Sequence, residues 1–504
     1  MSSSFDLDNR ILRAKSALHE VFGFPDYRGE QRAVIAAVLA GENSLLLMPT
    51  GMGKSLCYQL PARVFADEGL GLTVVISPLI ALMKDQVDAA LKKGLRATFI
   101  NSSLRADERE IRYQQLAQGR FELLYVTPER FRIPRFNEAL AANKIALFAV
   151  DEAHCISSWG HDFRPDYSRL GDHRRRLGEP LTLALTATAT PAVQKDILSQ
   201  LGITAEAKVF DHGIARPNLA LEVLDLHGLD HKIQAFMAFR HANPGAAIVY
   251  FSLIQTLERF SHEIGKLGIE HFCYHGQMGD QDRRRGQEAW LASDRGLMLA
   301  TPAFGLGIDK ENVRMVVHAE VPGSIEAYYQ EIGRAGRDGL SAQCVLLFDD
   351  DDVSIQNDFL EWANPDPGFI RAVFNLIDRN LARARQEGFD YLRTQMNFYN
   401  RRDFRVETAV NLLERWGSLE GRQPREWQPL ETPPEEYLDQ KLYEARMKAK
   451  RHKLYQMVEF VKMTATETGE ACRMKQVARY FGFNESVPCG ICDLCLERKR
   501  AGHA

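Results

Sequence analysis

The sequence predicts an α/β architecture of two parallel-sheet domains, followed by a mainly helical C-terminal region. Three observations carry this. Short apolar, β-branched runs alternate with longer amphipathic stretches over the first 350 residues; the alternation runs through two complete rounds; and beyond about residue 350 apolar residues recur at helical spacing.

In the first round, Leu45-Leu46-Leu47-Met48 reads as a strand emptying into Pro49-Thr50-Gly51-Met52-Gly53-Lys54-Ser55. Glycines there let backbone N–H groups face a triphosphate, Lys54 supplies a point charge, and the Ser55 hydroxyl can sit on Mg²⁺. Met48 stands where the strict phosphate-loop pattern has its first glycine. About a hundred residues on, a second apolar strand, Ile145 to Val150, ends in Asp151-Glu152-Ala153-His154. An isolated Asp-Glu pair is usually a solvated strand end. Set beside Lys54 and Ser55, it predicts a nucleotide hydrolase in which Asp151 holds the Mg²⁺ shell and Glu152 orients and deprotonates the attacking water. Strands are also expected at Leu72 to Ser77, Ala97 to Asn101, Leu123 to Thr127 and Leu181 to Thr186.

The second round follows the turn Ala215-Arg216-Pro217-Asn218. Its strands are expected at Ala247 to Phe251, His271 to Tyr274, Leu297 to Thr301, Met315 to His318 and Gln343 to Phe348. No second phosphate turn occurs, so this block is expected to contribute across a cleft. Gln330-Glu331-Ile332-Gly333-Arg334-Ala335-Gly336-Arg337 places two arginines three apart, a spacing that can put both on one side of a helix. Structural ion pairing is the ordinary reason for an arginine. The two-block layout favours guanidinium stabilisation of a transferring phosphoryl group.

These motifs together resemble a superfamily-2 helicase of the RecQ family, which implies two RecA-like motor domains, over residues 1–207 and 208–350. The segment Phe22-Gly23-Phe24-Pro25-Asp26-Tyr27-Arg28-Gly29-Glu30-Gln31 is similar to that family's adenine-reading segment. The resemblance implies that Gln31 bonds the base, Phe24 stacks on it and Arg28 assists. It continues through Ser77 to Gln86, Thr127-Pro128-Glu129-Arg130, Thr186 to Thr190 and Ala303 to Lys310. By this likeness Lys54, Asp151, Glu152, His154, Gln330, Arg334 and Arg337 form the catalytic set. Phe24, Arg28, Gln31, Thr50, Gly51, Met52, Gly53, Lys54, Ser55, Asp151, Gly307 and Asp309 would meet ATP and Mg²⁺. Tyr274-His275-Gly276-Gln277 departs from the family's usual Tyr-His-Ala-Gly.

The run from Ile156 to Tyr167 resembles the family's aromatic-rich loop. Aromatic faces stack on unpaired bases at roughly 1–3 kcal/mol each, so Trp159 and Phe163, with Arg164, are expected to contact single-stranded DNA close to Glu152. Packing between domains is the alternative for these rings.

Four of the eight cysteines cluster as Cys472, sixteen residues, then Cys489-Gly490-Ile491-Cys492-Asp493-Leu494-Cys495. Four thiolates with CxxC spacing suit a closed, structural Zn²⁺ site, with disulfides as the alternative. This defines a helical zinc-binding domain over residues 435–504. About 120 residues separate the last expected strand from Cys472, more than the resembled family places there, which implies an insertion. Within residues 351–434, apolar positions from Arg405 to Trp416 at helical spacing, followed by Gly417 to Leu430, suggest a winged helix. A generic helical spacer is the alternative. Glu435 to Met463 reads as one long helix, and its basic run Arg446 to Lys453 is either a phosphate track or a solvated face.

The 504 residues carry a net charge of −4, 45% hydrophobic and 26% charged residues, ordinary globular values that exclude a general polycation. No apolar run approaches the ~18 residues of a membrane span, and the N-terminus has no charged-then-apolar signal pattern. A cytoplasmic, monomeric enzyme is expected, nucleoid-associated if the source is bacterial, with single-stranded and tailed or forked duplex DNA as partner and repair or recombination as its context. A DNA-binding or annealing scaffold, and an RNA translocase, are the other two readings.

Overall fold

The computed structural model describes residues 2–49, 51–157, 164–205, 207–305, 308, 310–396, 403–421, 423–465, 471–484 and 487–502. The chain divides into two compact units. One comprises residues 1–320, 325–347 and 463–504, and the other residues 321–324 and 348–462.

The first unit holds two sheets. The strands of the first are β1 (Ser44–Leu47), β2 (Leu72–Ile76), β3 (Ala97–Ile100), β4 (Leu123–Val126), β5 (Ile145–Val150), β6 (Thr182–Thr186) and β7 (Lys208–Asp211), in the order β3-β4-β2-β5-β6-β1-β7. All pairs in it are parallel. β1 is buried along its whole length because both faces of the sheet are covered. Leu46 and Met48 point into one core with Leu60 and Leu185, whereas Leu45 and Leu47 point into another with Phe148 and Ile197. That is why the strand reads as a continuous apolar run rather than an alternation. Burying each such side chain contributes about 1.5–3 kcal/mol.

The second sheet is built from β8 (Leu219–Asp225), β9 (Ala246–Tyr250), β10 (Phe272–Tyr274), β11 (Leu297–Ala300), β12 (Val313–His318) and β13 (Ala342–Phe348), in the order β10-β11-β9-β12-β13-β8. Its core gathers Phe236, Phe251, Phe260, Val317 and Leu347. Every strand expected from the sequence is present. β7 and β8, at sheet edges, were not anticipated: β7 is exposed or half-buried throughout, and β8 buries only Leu219 and Leu221 and has Glu222 interrupting its apolar residues.

The second unit is helical around one core. Helices Pro367–Arg379, Leu381–Met396 and Arg405–Arg415 pack with the antiparallel pair β14 (Leu419–Glu420) and β15 (Gln428–Pro429). Trp427 is fully buried in this core, edge-on to Phe389 at 5.0 Å, and Val406, Ala409, Val410 and Leu413 face it from the third helix. The helix and hairpin expected after Arg405 are therefore both formed. The long helix runs over Gln440–Val461 and is capped by Asp439, which accepts from the Leu442 N–H at 2.8 Å. Arg446, Lys450 and Lys453 share its half-buried face, and Lys450 Nζ donates to Asn364 Oδ1 at 2.5 Å. Among the described residues no helix is long and apolar enough to cross a membrane.

Candidate nucleotide-hydrolysis site and zinc centre

Parallel strands deliver their C-terminal ends to one edge of the first sheet. β5, β6 and β1 are neighbours, so Asp151, Thr186 and the Gly51–Lys54 turn stand in a row. Met48 N–H donates to Thr186 O at 3.1 Å, extending the β1–β6 ladder to the start of the turn. Gly51 and Gly53 both adopt φ near +80°, which turns the backbone over. Lys54 Nζ donates to Met48 O at 3.0 Å, so its ammonium lies folded over the inside of the turn. Burial pulls the Lys54 amine below its ordinary range, opposed by Glu152 and Asp151.

Glu152 leaves the strand end in the left-handed region, φ 49° and ψ 46°. For a non-glycine residue this conformation stores on the order of 1–3 kcal/mol, and it aims consecutive carboxylates in different directions. Glu152 N–H donates to Asp151 Oδ1 at 3.0 Å. Burial, then repulsion from Glu152, pushes the Asp151 carboxyl up to about 7 against the pull of Lys54. His154 Nδ1 lies 3.3 Å from Glu152 Oε2 and 2.9 Å from Thr186 Oγ1. His154 Nδ1 thus stands between the Glu152 carboxylate and the Thr186 hydroxyl, which also reaches Thr188 O at 3.1 Å.

The second sheet domain reaches this row. Arg337 lies against the turn so closely that a Cβ on Gly51 would come within 2.9 Å of Arg337 Cγ, and its Nη1 donates to Ile308 O at 2.8 Å. Gln330 Nε2 donates to Thr188 Oγ1 at 3.2 Å. Arg334 is placed differently from Arg337. It is buried and donates to Gly305 O, within the loop after β11. Arg337 is therefore the guanidinium at the phosphate turn, and Arg334 supports the loop beneath it.

Two further groups position this apparatus through contacts that the sequence reading did not foresee. Arg216 Nη2 donates to Ala335 O at 2.8 Å and Gly336 O at 3.0 Å, and Asn218 Nδ2 to Gly336 O and Leu340 O at 2.9 Å each. The Arg-Pro-Asn turn thus braces the arginine segment from behind. Gln31 Nε2 donates to Met52 O and Gly53 O at 3.0 Å each, while its Oε1 accepts from the Arg28 N–H at 2.8 Å. The Gln31 amide ties the Arg28 segment to the phosphate turn. Phe24 and Arg28 are exposed nearby, with Lys93 Nζ 5.3 Å above the Phe24 ring. Ser55 stands at the N-terminal boundary of the helix Leu56–Asp67, at the end of the turn.

Thr50, Trp159, Phe163, Gly307 and Asp309 lie outside the described residues. The ends of the aromatic-rich segment are described. Arg164 N–H donates to Cys155 O at 3.0 Å and Tyr167 Oη to Asp151 O at 3.3 Å, so the segment leaves and rejoins the fold beside the carboxylates.

In the same unit the thiols of Cys472, Cys489, Cys492 and Cys495 all lie within 4.8 Å of one another. Tetrahedral Zn–S bonds of about 2.3 Å require sulfurs a little under 4 Å apart, so the donor set fits zinc. Backbone amides already face these sulfurs: Cys489 N–H donates to Cys472 Sγ at 3.2 Å and Arg473 N–H to Cys492 Sγ at 3.4 Å. Such donors favour thiolates. Asp493 then accepts from Arg473 Nη2 at 3.0 Å and from Val223 N–H of β8 at 3.1 Å, tying the module to the edge of the second sheet.

The raised Asp151 carboxyl has a consequence for stability. Unfolded, the group ionises near 3.9; between there and about 7 the folded chain keeps a proton that the unfolded chain has lost, so stability falls as pH rises through that window. Asp151→Asn is expected to raise the unfolding midpoint of nucleotide-free, metal-free protein at pH 8 by at least about 2 °C, measured by calorimetry. An unchanged or lowered midpoint contradicts the assignment. For the metal centre, elemental analysis should find zinc in the parent, and Cys492→Ser should lose it and open residues 472–500 to proteolysis. Zinc contributes on the order of 10 kcal/mol to such modules, and a metal-free, protease-resistant parent would refute the site.

Comparison with known proteins agrees with this geometry. Residues 28–197 match the DEAD/DEAH box helicase family, residues 230–339 the helicase conserved C-terminal domain, and residues 435–496 the RecQ zinc-binding family. The chain is 43% identical over 351 residues to the ATP-dependent DNA helicase RecQ of Bacillus subtilis, covering 69% of this chain and 58% of that one. It is 35% identical over 384 residues to "Probable ATP-dependent DNA helicase RecS" of the same organism, covering 76% of each. The chain spans between half and three fifths of the RecQ relatives it matches from Bacillus subtilis, Pasteurella multocida and Haemophilus influenzae, at 58%, 53% and 54% of their lengths. Among solved structures, the Mycobacterium smegmatis helicase Lhr bound to single-stranded DNA and AMP-PNP aligns with TM-score 0.51 at 22% identity, over 68% of this chain and 48% of that one. Saccharomyces cerevisiae Dbp5 bound to RNA and ADP BeF3 aligns with TM-score 0.54 at 17% identity, over 69% and 89%. The two structural likenesses show the fold alone; the matched families and the RecS relative place the chain in the RecQ family of superfamily-2 helicases.

Proposed function

We propose that this chain is an ATP-dependent DNA helicase that moves 3′ to 5′ on one strand and separates duplex, in DNA repair or recombination. The observation that carries the reading is Arg337 of the second domain lying on Gly51 of the first, beside Lys54 and the Asp151–Glu152 pair. Neither sheet domain holds a complete set of phosphate-handling groups. Turnover then requires the two domains to meet, and a cycle of closing and opening is what translocation needs.

In this reading the Gly51–Gly53 amides and Lys54 hold the β- and γ-phosphates, and Phe24, Arg28 and Gln31 read the base. Mg²⁺, when bound at Asp151 and Ser55, neutralises charge on the phosphates. Glu152 takes the proton of the attacking water, Arg337 stabilises the equatorial oxygens, and His154, Thr186, Thr188 and Gln330 couple the base to the second domain. Gly307 and Asp309 meet the nucleotide. Trp159, Phe163 and Arg164 grip unpaired bases next to Glu152. The domains follow as residues 1–207 and 208–350 for the motor, 351–434 for a winged helix gripping duplex, and 435–504 for the zinc-binding region. The protein acts as a cytoplasmic monomer.

A displacement assay on 3′-tailed DNA and matched RNA duplexes, with ATPase measured in parallel, tests this. The parent should unwind tailed DNA, and Glu152→Gln should keep ATP binding while losing turnover by about 10²–10⁴-fold. ATP hydrolysis without strand separation would make the chain a scaffold, and preference for RNA would make it an RNA translocase. Deleting residues 405–430 should weaken binding to tailed duplex more than to single strand, with the salt slope falling by about one for each phosphate no longer gripped. Equal binding of tailed duplex by parent and deletion would make the segment a spacer.

A further inference from the structure

The zinc-binding module ends its helix Arg473–Tyr480 in the turn Phe481–Gly482. Phe481 is buried, its ring 5.5 Å from that of Tyr329, on the helix Ile325–Ile332 of the second sheet domain. The next residue on that helix, Gln330, bonds Thr188 of the first domain. Three residues beyond Thr188, Pro191 opens the helix Pro191–Leu201. A Cβ on Gly482 would come within 2.6 Å of Pro191 Cγ and 3.0 Å of Cδ. A ring is closed in this way: Phe481 on Tyr329, Gln330 on Thr188, Pro191 on Gly482.

We propose that the Phe481–Gly482 turn is a bearing surface across the motor cleft, so that the zinc-binding module senses and limits closure of the two sheet domains, with Gly482 and Pro191 as positioning residues. This rests on the reading of the chain as an ATP-driven motor. The loop it presses on, Thr186 to Pro191, is the one whose Thr186 hydroxyl lies 2.9 Å from His154 Nδ1, itself 3.3 Å from Glu152 Oε2. A displaced turn therefore reaches the hydrolytic carboxylate through Pro191, Thr188 and Thr186. The surface is made of two groups with no side chain to fold away, a bare Cα and a proline ring, so it transmits position rather than absorbing it.

Gly482 has an ordinary explanation as well. Its φ is +90°, and Gly482 N–H donates to Arg479 O while Phe483 N–H donates to Ala478 O, which is how a glycine ends a helix. The two roles separate experimentally, because asparagine tolerates positive φ yet carries a Cβ. In the full chain, Gly482→Asn should raise the ATP KM of DNA-stimulated hydrolysis by about fivefold or more at unchanged zinc content and melting temperature. The double variant Pro191→Ala, Gly482→Asn should return to within about twofold of the parent. Parent-like KM in Gly482→Asn, or no recovery in the double variant, overturns the bearing. A parent that hydrolyses no ATP defeats the functional reading instead. The bearing is then read from hydrogen exchange over residues 186–194, which should quicken in Gly482→Asn and recover in the double variant; exchange unchanged by Gly482→Asn overturns it.

Discussion

Everything at the site depends on holding two carboxylates and one ammonium side by side, half-buried, at the edge of a single sheet. Asp151 and Glu152 repel each other, and burial penalises the charges of Asp151 and Lys54. The attraction of Lys54 relieves part of this, yet the Asp151 carboxyl still rises and the Lys54 amine still falls, because burial outweighs that attraction. The second domain adds the guanidinium of Arg337 to this group of charges.

Glycines set how closely the domains approach. Gly51 admits the Arg337 stem and Gly482 admits Pro191, while within the second domain Gly305 admits the Arg334 guanidinium. A Cβ at any of these positions meets an atom within 3.0 Å. The glycines of the phosphate turn are usually read for the backbone amides they free. Here Gly51 and Gly53 also make room for neighbours, Arg337 for the first and Gln31 for the second.

The zinc-binding module is bound into the motor at two places by different chemistry. Asp493 joins it to the edge strand β8 through a charged hydrogen bond to a backbone amide that would otherwise be open. Phe481 and Gly482 join it to the interdomain helix and loop by packing alone. Metal at the four thiols fixes the spacing between those attachments, since Cys472 precedes the helix that leads to Phe481 and Cys492 precedes Asp493.

The sequence by itself determined the parallel sheets, the phosphate turn, the carboxylate pair, the arginine motif and the metal-binding cysteines, because each is a local pattern. A strand buried on both faces must be continuously apolar, a turn over phosphate must carry glycine, and a tetrahedral metal must have closely spaced donors. The helix from Arg405 and the long helix from Gln440 were legible for the same reason, as periodic apolar stripes. Only the tertiary structure decided which arginine reaches the phosphate turn. Arg334 and Arg337 are alike in sequence, and their separation comes from Gly305 packing under one and Gly51 under the other. The edge strands β7 and β8, the brace by Arg216 and Asn218, the Gln31 tie and the Gly482–Pro191 contact were illegible in advance. Each pairs residues from roughly 20 to 300 positions apart, and no local pattern encodes a partner that the fold alone brings near.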